Sequence, residues 1–243
     1  MKVRSVIVPF ALAGCLCAQA TAPKAADSSK LDMVLKKMDA AASSFRGTQA
    51  DFEWDTYEKV IDEVDDVETG TIYFRRNGKD IEMMAEVKKA GASAATLKPE
   101  PKYVLFNAGK VQMYQPKPDE VTVYDVSKNK ADFENYLVVL GFGGSGEDLR
   151  RGFDVTYGGD EKVNGVNAAK LQLVPKSEKV RNTYKQIILW IDPERGIAVQ
   201  QQLFTPDGNY KLVKYSSIQE KKIPDDVFKL KTTGKTHTLS PNG

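Results

Sequence analysis

Over most of the chain, apolar and polar residues alternate in short runs separated by glycine, proline, asparagine and aspartate, the pattern of β-strands joined by tight turns. The clearest case spans residues 184–219. Residues 185–192 are dense in β-branched and aromatic side chains (Ile187, Ile188, Trp190, Ile191) and stop at Asp192-Pro193-Glu194-Arg195-Gly196, where proline presets φ and glycine accepts a positive φ. A second run, 197–204, ends at Thr205-Pro206-Asp207-Gly208, and a third resumes at Asn209. Together they predict a three-stranded antiparallel meander. Ile187, Leu189 and Ile191 share one face of its first strand and form a candidate inner wall; Ile188 and Trp190 occupy the other face.

The same signals predict strands at 50–57, 70–76, 80–87, 102–107, 110–115, 120–126, 153–157, 160–163 and 168–175, with Asn77-Gly78 as the strongest hairpin turn and a final β segment at 223–230. Residues 58–68 read as a solvated acidic hairpin end, because Asp62, Glu63, Asp65 and Asp66 lack the glycine and spacing of a calcium loop. Residues 88–101 read as an alanine-rich insertion. Helical spacing appears at Leu31, Val34, Leu35, Met38 and Ala42, with Ser28 or Ser29 as the cap. Residues 132–140 form an apolar stretch of helical length, and Ser145-Gly146-Glu147-Asp148 offers a capping box for a short helix through Arg151. The glycines from Gly141 to Gly146 match the dinucleotide spacing, but no alternation of strand and helix surrounds them, so they read as a hinge between two lid helices. The fold class expected is mainly β (α+β): a large antiparallel curved sheet of about eleven strands, covered by one N-terminal helix and two short lid helices.

Composition is that of a soluble globular domain, 41% hydrophobic and 28% charged. Lys2 and Arg4 account for the formal net charge of +2; the rest of the chain is balanced, which gives no basis for nucleic-acid binding. Those two charges precede an uncharged apolar run, so residues 1–20 read as a secretory signal. Two ends of that signal overlap: Ala18-Gln19-Ala20 suits cleavage, while Leu12-Ala13-Gly14-Cys15 has the form of a lipobox that would lipidate Cys15. Residues 21–27 read as a linker, 28–231 as a single domain and 232–243 as a frayed polar tail. Both cysteines, Cys15 and Cys17, lie in the signal. The one histidine, His237, lies in the tail, and no Gly-x-Ser-x-Gly elbow is present, so an enzyme is not expected and no catalytic residue, metal or cofactor is assigned. Several strands carry apolar residues on both faces, such as Met83 beside Met84, and few helices cover them. That combination suggests an apolar trough in need of an occupant.

The order of elements resembles the LolA-like family of outer-membrane lipoprotein carriers. Four stretches carry the resemblance: Ser44-Phe45-Arg46-Gly47; Gly70-Thr71-Ile72-Tyr73-Phe74-Arg75-Arg76; Asn107-Ala108-Gly109-Lys110-Val111-Gln112-Met113-Tyr114; and the meander followed by Ile223-Pro224-Asp225-Asp226-Val227-Phe228. The resemblance implies an incomplete β-barrel with a helical lid over a cavity for lipoprotein acyl chains. It makes Phe52, Trp54, Ile72, Phe74, Ile81, Met83, Phe106, Met113 and Leu189 the lipid-binding candidates, and Phe133, Tyr136, Leu137, Leu140 and Leu149 the lid. Arg76 matches the strand-end arginine that latches the lid in such carriers. The implied function is a monomeric periplasmic carrier of lipoproteins or another lipid, exchanging cargo between an inner-membrane release complex and an outer-membrane acceptor. The alternatives are an envelope sensor or scaffold for a protein partner and a membrane-anchored acceptor.

Overall fold

The computed structural model describes residues 22–77, 80–127 and 142–241. Twelve strands among them form one sheet: β1 (Gly47–Glu58), β2 (Glu63–Asn77), β3 (Asp80–Gly91), β4 (Lys98–Asn107), β5 (Lys110–Gln115), β6 (Glu120–Asp125), β7 (Phe153–Val163), β8 (Val166–Pro175), β9 (Gln186–Asp192), β10 (Ile197–Phe204), β11 (Tyr210–Glu220) and β12 (His237–Leu239). Their order is β12-β6-β5-β4-β3-β2-β1-β11-β10-β9-β8-β7. Every neighbouring pair is antiparallel except β12, which runs parallel to β6. The end strands β12 and β7 do not pair, so the sheet stays open.

Register fixes one face as the inside. Phe52 pairs with Tyr215, Phe74 with Met83, Met83 with Phe106, and Leu189 with Leu171 and Gln201. Because side chains alternate with a period of two, these pairings bring the apolar residues of successive strands onto a common surface. Helix α1 (Ala22–Ser44) lays Val34, Leu35 and Met38 on that surface, and α2 (Gly146–Gly152) adds Leu149; all belong to one buried cluster. The predicted stripe of α1 is therefore its buried face, while Lys36, Lys37 and Asp39 are exposed.

The apolar residues on the opposite face form two smaller clusters. Met84 and Leu105 are covered by Ile223 and Phe228, and Trp190 and Val199 pack with Val163 and Ala168. The Trp190 indole N–H donates to Glu161, and Lys170 lies over its ring. Strands that are apolar on both faces thus serve two packing layers.

Several boundaries depart from the sequence reading. Helix α1 begins at Ala22, so the expected linker is helical and neither Ser28 nor Ser29 is the cap; Pro23 in the first turn and the alanines after it suit a helix start. Residues 63–68, expected as loop, extend β2, and most of the expected insertion at 88–101 is strand, with a 3₁₀ turn at Ala94–Thr96. Gly158-Gly159 does not turn the chain but forms a bulge within β7, where Gly159 has φ +99°. Residues 223–230 do not form a strand; a 3₁₀ turn at Asp225–Phe228 seats Phe228 on the sheet instead. The short helix α3 (Glu178–Arg181) was not foreseen. The polar tail is not simply frayed: Thr233, Thr236 and Tyr114 donate to the Asp119 carboxylate, and β12 joins the edge of β6.

Candidate functional site

The inner face has two unequal wings. Across β7 to β10 lies α1: Lys30 reaches Asp160 in β7 at 3.1 Å, and a Cβ on Gly196, in the β9–β10 turn, would come within 2.7 Å of the Lys37 carbonyl. Beneath the helix Leu171, Leu173, Ile187, Leu189 and Ile191 are fully buried. On β4 and β5 the inner positions Val104, Val111 and Met113 are only half-buried, as is Trp54 on β1. Val104, Val111 and Trp54 pack on the main cluster, above Ile81, Met83 and Phe106, which are buried.

Between the wings, α2 and the residues before it close one end. Phe142 packs edge-on against Tyr215 at 4.8 Å between ring centres, and Phe45 and Phe74 lie nearby. Gly143 has φ +70°, and a Cβ there would meet the Phe45 ring at 2.5 Å; one on Gly146 would meet Leu35 Cβ at 2.7 Å. Where a hinge was expected, these two glycines allow close packing. The expected capping box is present: Ser145 Oγ accepts from Asp148 N at 3.0 Å, and Asp148 accepts from Ser145 N at 3.2 Å. Arg76, at the end of β2, donates from Nη2 to the Gly143 carbonyl at 2.9 Å, which ties the strand to this closing segment.

Polar groups interrupt the apolar surface in a particular way. Among the described residues, four buried side-chain atoms have no hydrogen-bond partner: Thr48 Oγ1, Trp54 Nε1, Arg76 Nε and Gln201 Oε1. Register places all four residues on the inner face, since Thr48 pairs with Phe74, Arg76 with Ile81 and Gln201 with Leu189. Gln201 Nε2 donates to the Tyr215 hydroxyl at 2.9 Å, and burial pushes the Tyr215 pKa far up, so the phenol stays neutral. Toward the β1–β2 hairpin the surface becomes charged. Lys102 pairs with Glu68, and Lys211 lies 5.4 Å from the Trp54 ring centre. Burial and the neighbouring Glu68 raise the Asp66 pKa, against the pull of Lys102 and Lys211.

The structure therefore brings all nine lipid-binding candidates to one face. Phe52, Ile72, Phe74, Ile81, Met83, Phe106 and Leu189 are buried in the main cluster, while Trp54 and Met113 are half-buried beside it. Leu149 of the expected lid is fully buried, and Arg76 touches the closing segment. Phe133, Tyr136, Leu137, Leu140 and Cys15 lie outside the described residues. Gln201, Tyr215 and Phe142 were missed. Gln201 stands in the run Gln200-Gln201-Gln202, where its spacing of two from Leu203 is the signal that it, and not its neighbours, turns inward. Three cavities bounded by described residues are lined by none of the nine candidates. One of about 620 Å³ runs between β4–β6 and the C-terminal tail (Leu105, Val121, Phe228), one of about 440 Å³ lies beside it (Tyr73, Met84, Val227), and one of about 500 Å³ lies at the charged end (Glu68, Lys102, Gln115). No helix among the described residues is long and apolar enough to cross a membrane, and no group of metal-ligating side chains occurs among them.

Comparison with solved structures shows where this architecture recurs. MucB superposes with a TM-score of 0.50 at 13% identity, over 87% of this chain and 66% of its own; an uncharacterized conserved protein from Thermus thermophilus superposes with a TM-score of 0.52 at 10% identity, over 87% and 99%. This chain thus spans slightly less than two thirds of MucB. A putative outer membrane lipoprotein-sorting protein domain from Vibrio parahaemolyticus has a TM-score of 0.43 at 13% identity, over 82% and 95%. At such identities the likeness to MucB and to the Thermus thermophilus protein is one of fold. A search of the curated proteins returns no match. The family described as outer membrane lipoprotein carrier protein LolA matches residues 44–231, from the end of α1 through the 3₁₀ turn that seats Phe228, and the chain belongs to that family.

Proposed function

We propose that the protein is a periplasmic carrier that shelters acyl chains of lipoproteins, or of another lipid, on the inner face of its sheet and releases them without making or breaking a covalent bond. The observation that carries this reading is the inner face of β4 and β5, with Trp54 of β1, where Val104, Val111, Met113 and Trp54 are half-buried beside the buried apolar residues Ile81, Met83 and Phe106. Each methylene moved from water onto such a surface contributes about 0.8 kcal/mol, so about eight of them would contribute ~6 kcal/mol before ordering costs. The closing segment at Gly143 acts as the lid boundary and Arg76 as its latch; the unpaired Trp54 and Gln201 atoms would meet the polar linkage of the cargo.

Saturable binding of a fluorescent fatty acyl probe, displaced by a diacylated lipopeptide, tests this reading. Failure to bind any acyl ligand would contradict it. Recovery of one stoichiometric protein without lipid in native mass spectrometry would support the rival, an envelope sensor or scaffold. Determining the mature N-terminus separates a free shuttle from an acceptor anchored through Cys15.

A further inference from the structure

The tip of the β1–β2 hairpin holds apolar side chains in water. Val60 is 94% exposed, Ile61 55% and Val64 38%, the largest such concentration among the described residues. Isolated exposed aliphatic residues are ordinary, but this group stands on a rigid mount. The Tyr57 and Tyr210 rings stack at 4.5 Å with 10° between their planes, the Tyr57 hydroxyl donates to Asp62, and Asp62 takes a left-handed φ of +56°. The neighbouring β10–β11 turn braces the tip from the side: Asn209 Oδ1 accepts from the Lys59 backbone N–H at 2.9 Å, and Asn209 Nδ2 donates to Glu58 at 2.6 Å.

Behind the tip, register aligns Phe204, Tyr210, Tyr57 and Val64 in one row across four strands. The layers along this end of the sheet are thus two aliphatic side chains outermost, then a belt of aromatic rings, then the body of the protein. Aromatic residues with a polar edge favour the boundary between lipid headgroups and acyl chains, and aliphatic residues favour the acyl region. The charges in the tip itself are mostly acidic: Glu58 is half-buried, and Asp62, Glu63 and Asp65 face water, against Lys59, while Lys185 and Lys211 stand beside the aromatic row behind it.

We infer that the β1–β2 hairpin tip is a membrane-docking element that inserts Val60 and Ile61 into the surface of a bilayer rich in zwitterionic ethanolamine phospholipids. Carboxylates at headgroup depth match the primary ammonium groups of such lipids and repel anionic ones. Trp54, on the same strand, then stands just behind the contact. The inference does not depend on what the inner face carries.

Flotation of the full chain with phosphatidylethanolamine–phosphatidylcholine vesicles tests it, with Cys15→Ser and Cys17→Ser so that no lipid anchor contributes. A second readout is an environment-sensitive dye on Val60→Cys in that background. The expected result is that the protein floats and the dye shifts to the blue. The double change Val60→Asp, Ile61→Asp should then lower the bound fraction at least about tenfold with no change in melting temperature, Val60→Leu should retain binding, and phosphatidylglycerol vesicles should hold less protein. The inference is overturned if the protein does not float, if the double variant floats as well as the parent, or if a photo-crosslinker at position 60 captures a protein and no lipid.

Discussion

The two wings of the inner face are built from similar residues yet differ in how they are used. On β8 and β9, Leu171, Leu173, Ile187, Leu189 and Ile191 are sealed beneath α1, which pairs with β7 through Lys30 and closely approaches Gly196 at Lys37. On β4 and β5, Val104, Val111 and Met113 remain half-buried. The difference lies in the cover, not in the alternation of the strands. One wing is the folding core; the other has spare apolar surface. The meander that dominates the sequence pattern thus belongs mainly to the core, and cargo would lie over the opposite wing.

The contrast can be broken most strongly in the sealed wing. Leu189→Ala should cost about 2–5 kcal/mol in urea unfolding while leaving the acyl-probe affinity of the folded fraction unchanged. At the boundary between the wings, Arg76→Ala removes a charged donor from the Gly143 carbonyl, worth about 1.5–3 kcal/mol, and should speed probe release in stopped-flow chase experiments. In the open wing the balance reverses. Met113→Glu should lower probe affinity at least about tenfold, with a stability change below about 1 kcal/mol, because the side chain is half-buried and carries little of the core.

The smallest effect concerns the clamp between α1 and β7. The Tyr157 hydroxyl and then Lys30 hold the Asp160 pKa below the ordinary carboxylate value, although burial works against them. A lowered folded-state pKa adds stability at pH values above the unfolded value of about 3.9, and that stability is lost as pH falls through the folded value. Asp160→Asn should therefore flatten the acid limb of the melting profile. At neutral pH it should lower the melting temperature by no more than about 2 °C, since the pair is exposed to solvent.

Fold class was legible because alternation, turn residues and the stripe of α1 all depend on local sequence. β5 and β10 have the expected boundaries, and Ser145 caps α2 as its motif requires. What local pattern could not supply was cover. Ile187 and Ile188 are equally apolar, and only tertiary placement decides which of them faces α1. Residues 63–68 looked like loop because of their charge, yet Val67 pairs with Asp55 and is buried on the same hairpin whose tip exposes Val60. Gln201 was obscured differently: it alternates with inward-facing Leu203, but the register shift between Ala198 and Gln200 puts Val199 on the other face, so one alternation does not run through the strand.

The chain's two tryptophans offer the most direct test of the central claim, because Trp54 lies on the inner face and Trp190 on the other. Fluorescence quenching by a brominated acyl chain can be read for each in turn, with Trp190→Phe isolating Trp54 and Trp54→Phe isolating Trp190. Saturable quenching of Trp54, with Trp190 unaffected at the same concentrations, is the expected result. Equal quenching of both, or quenching of Trp190 alone, would contradict an acyl site on the inner face.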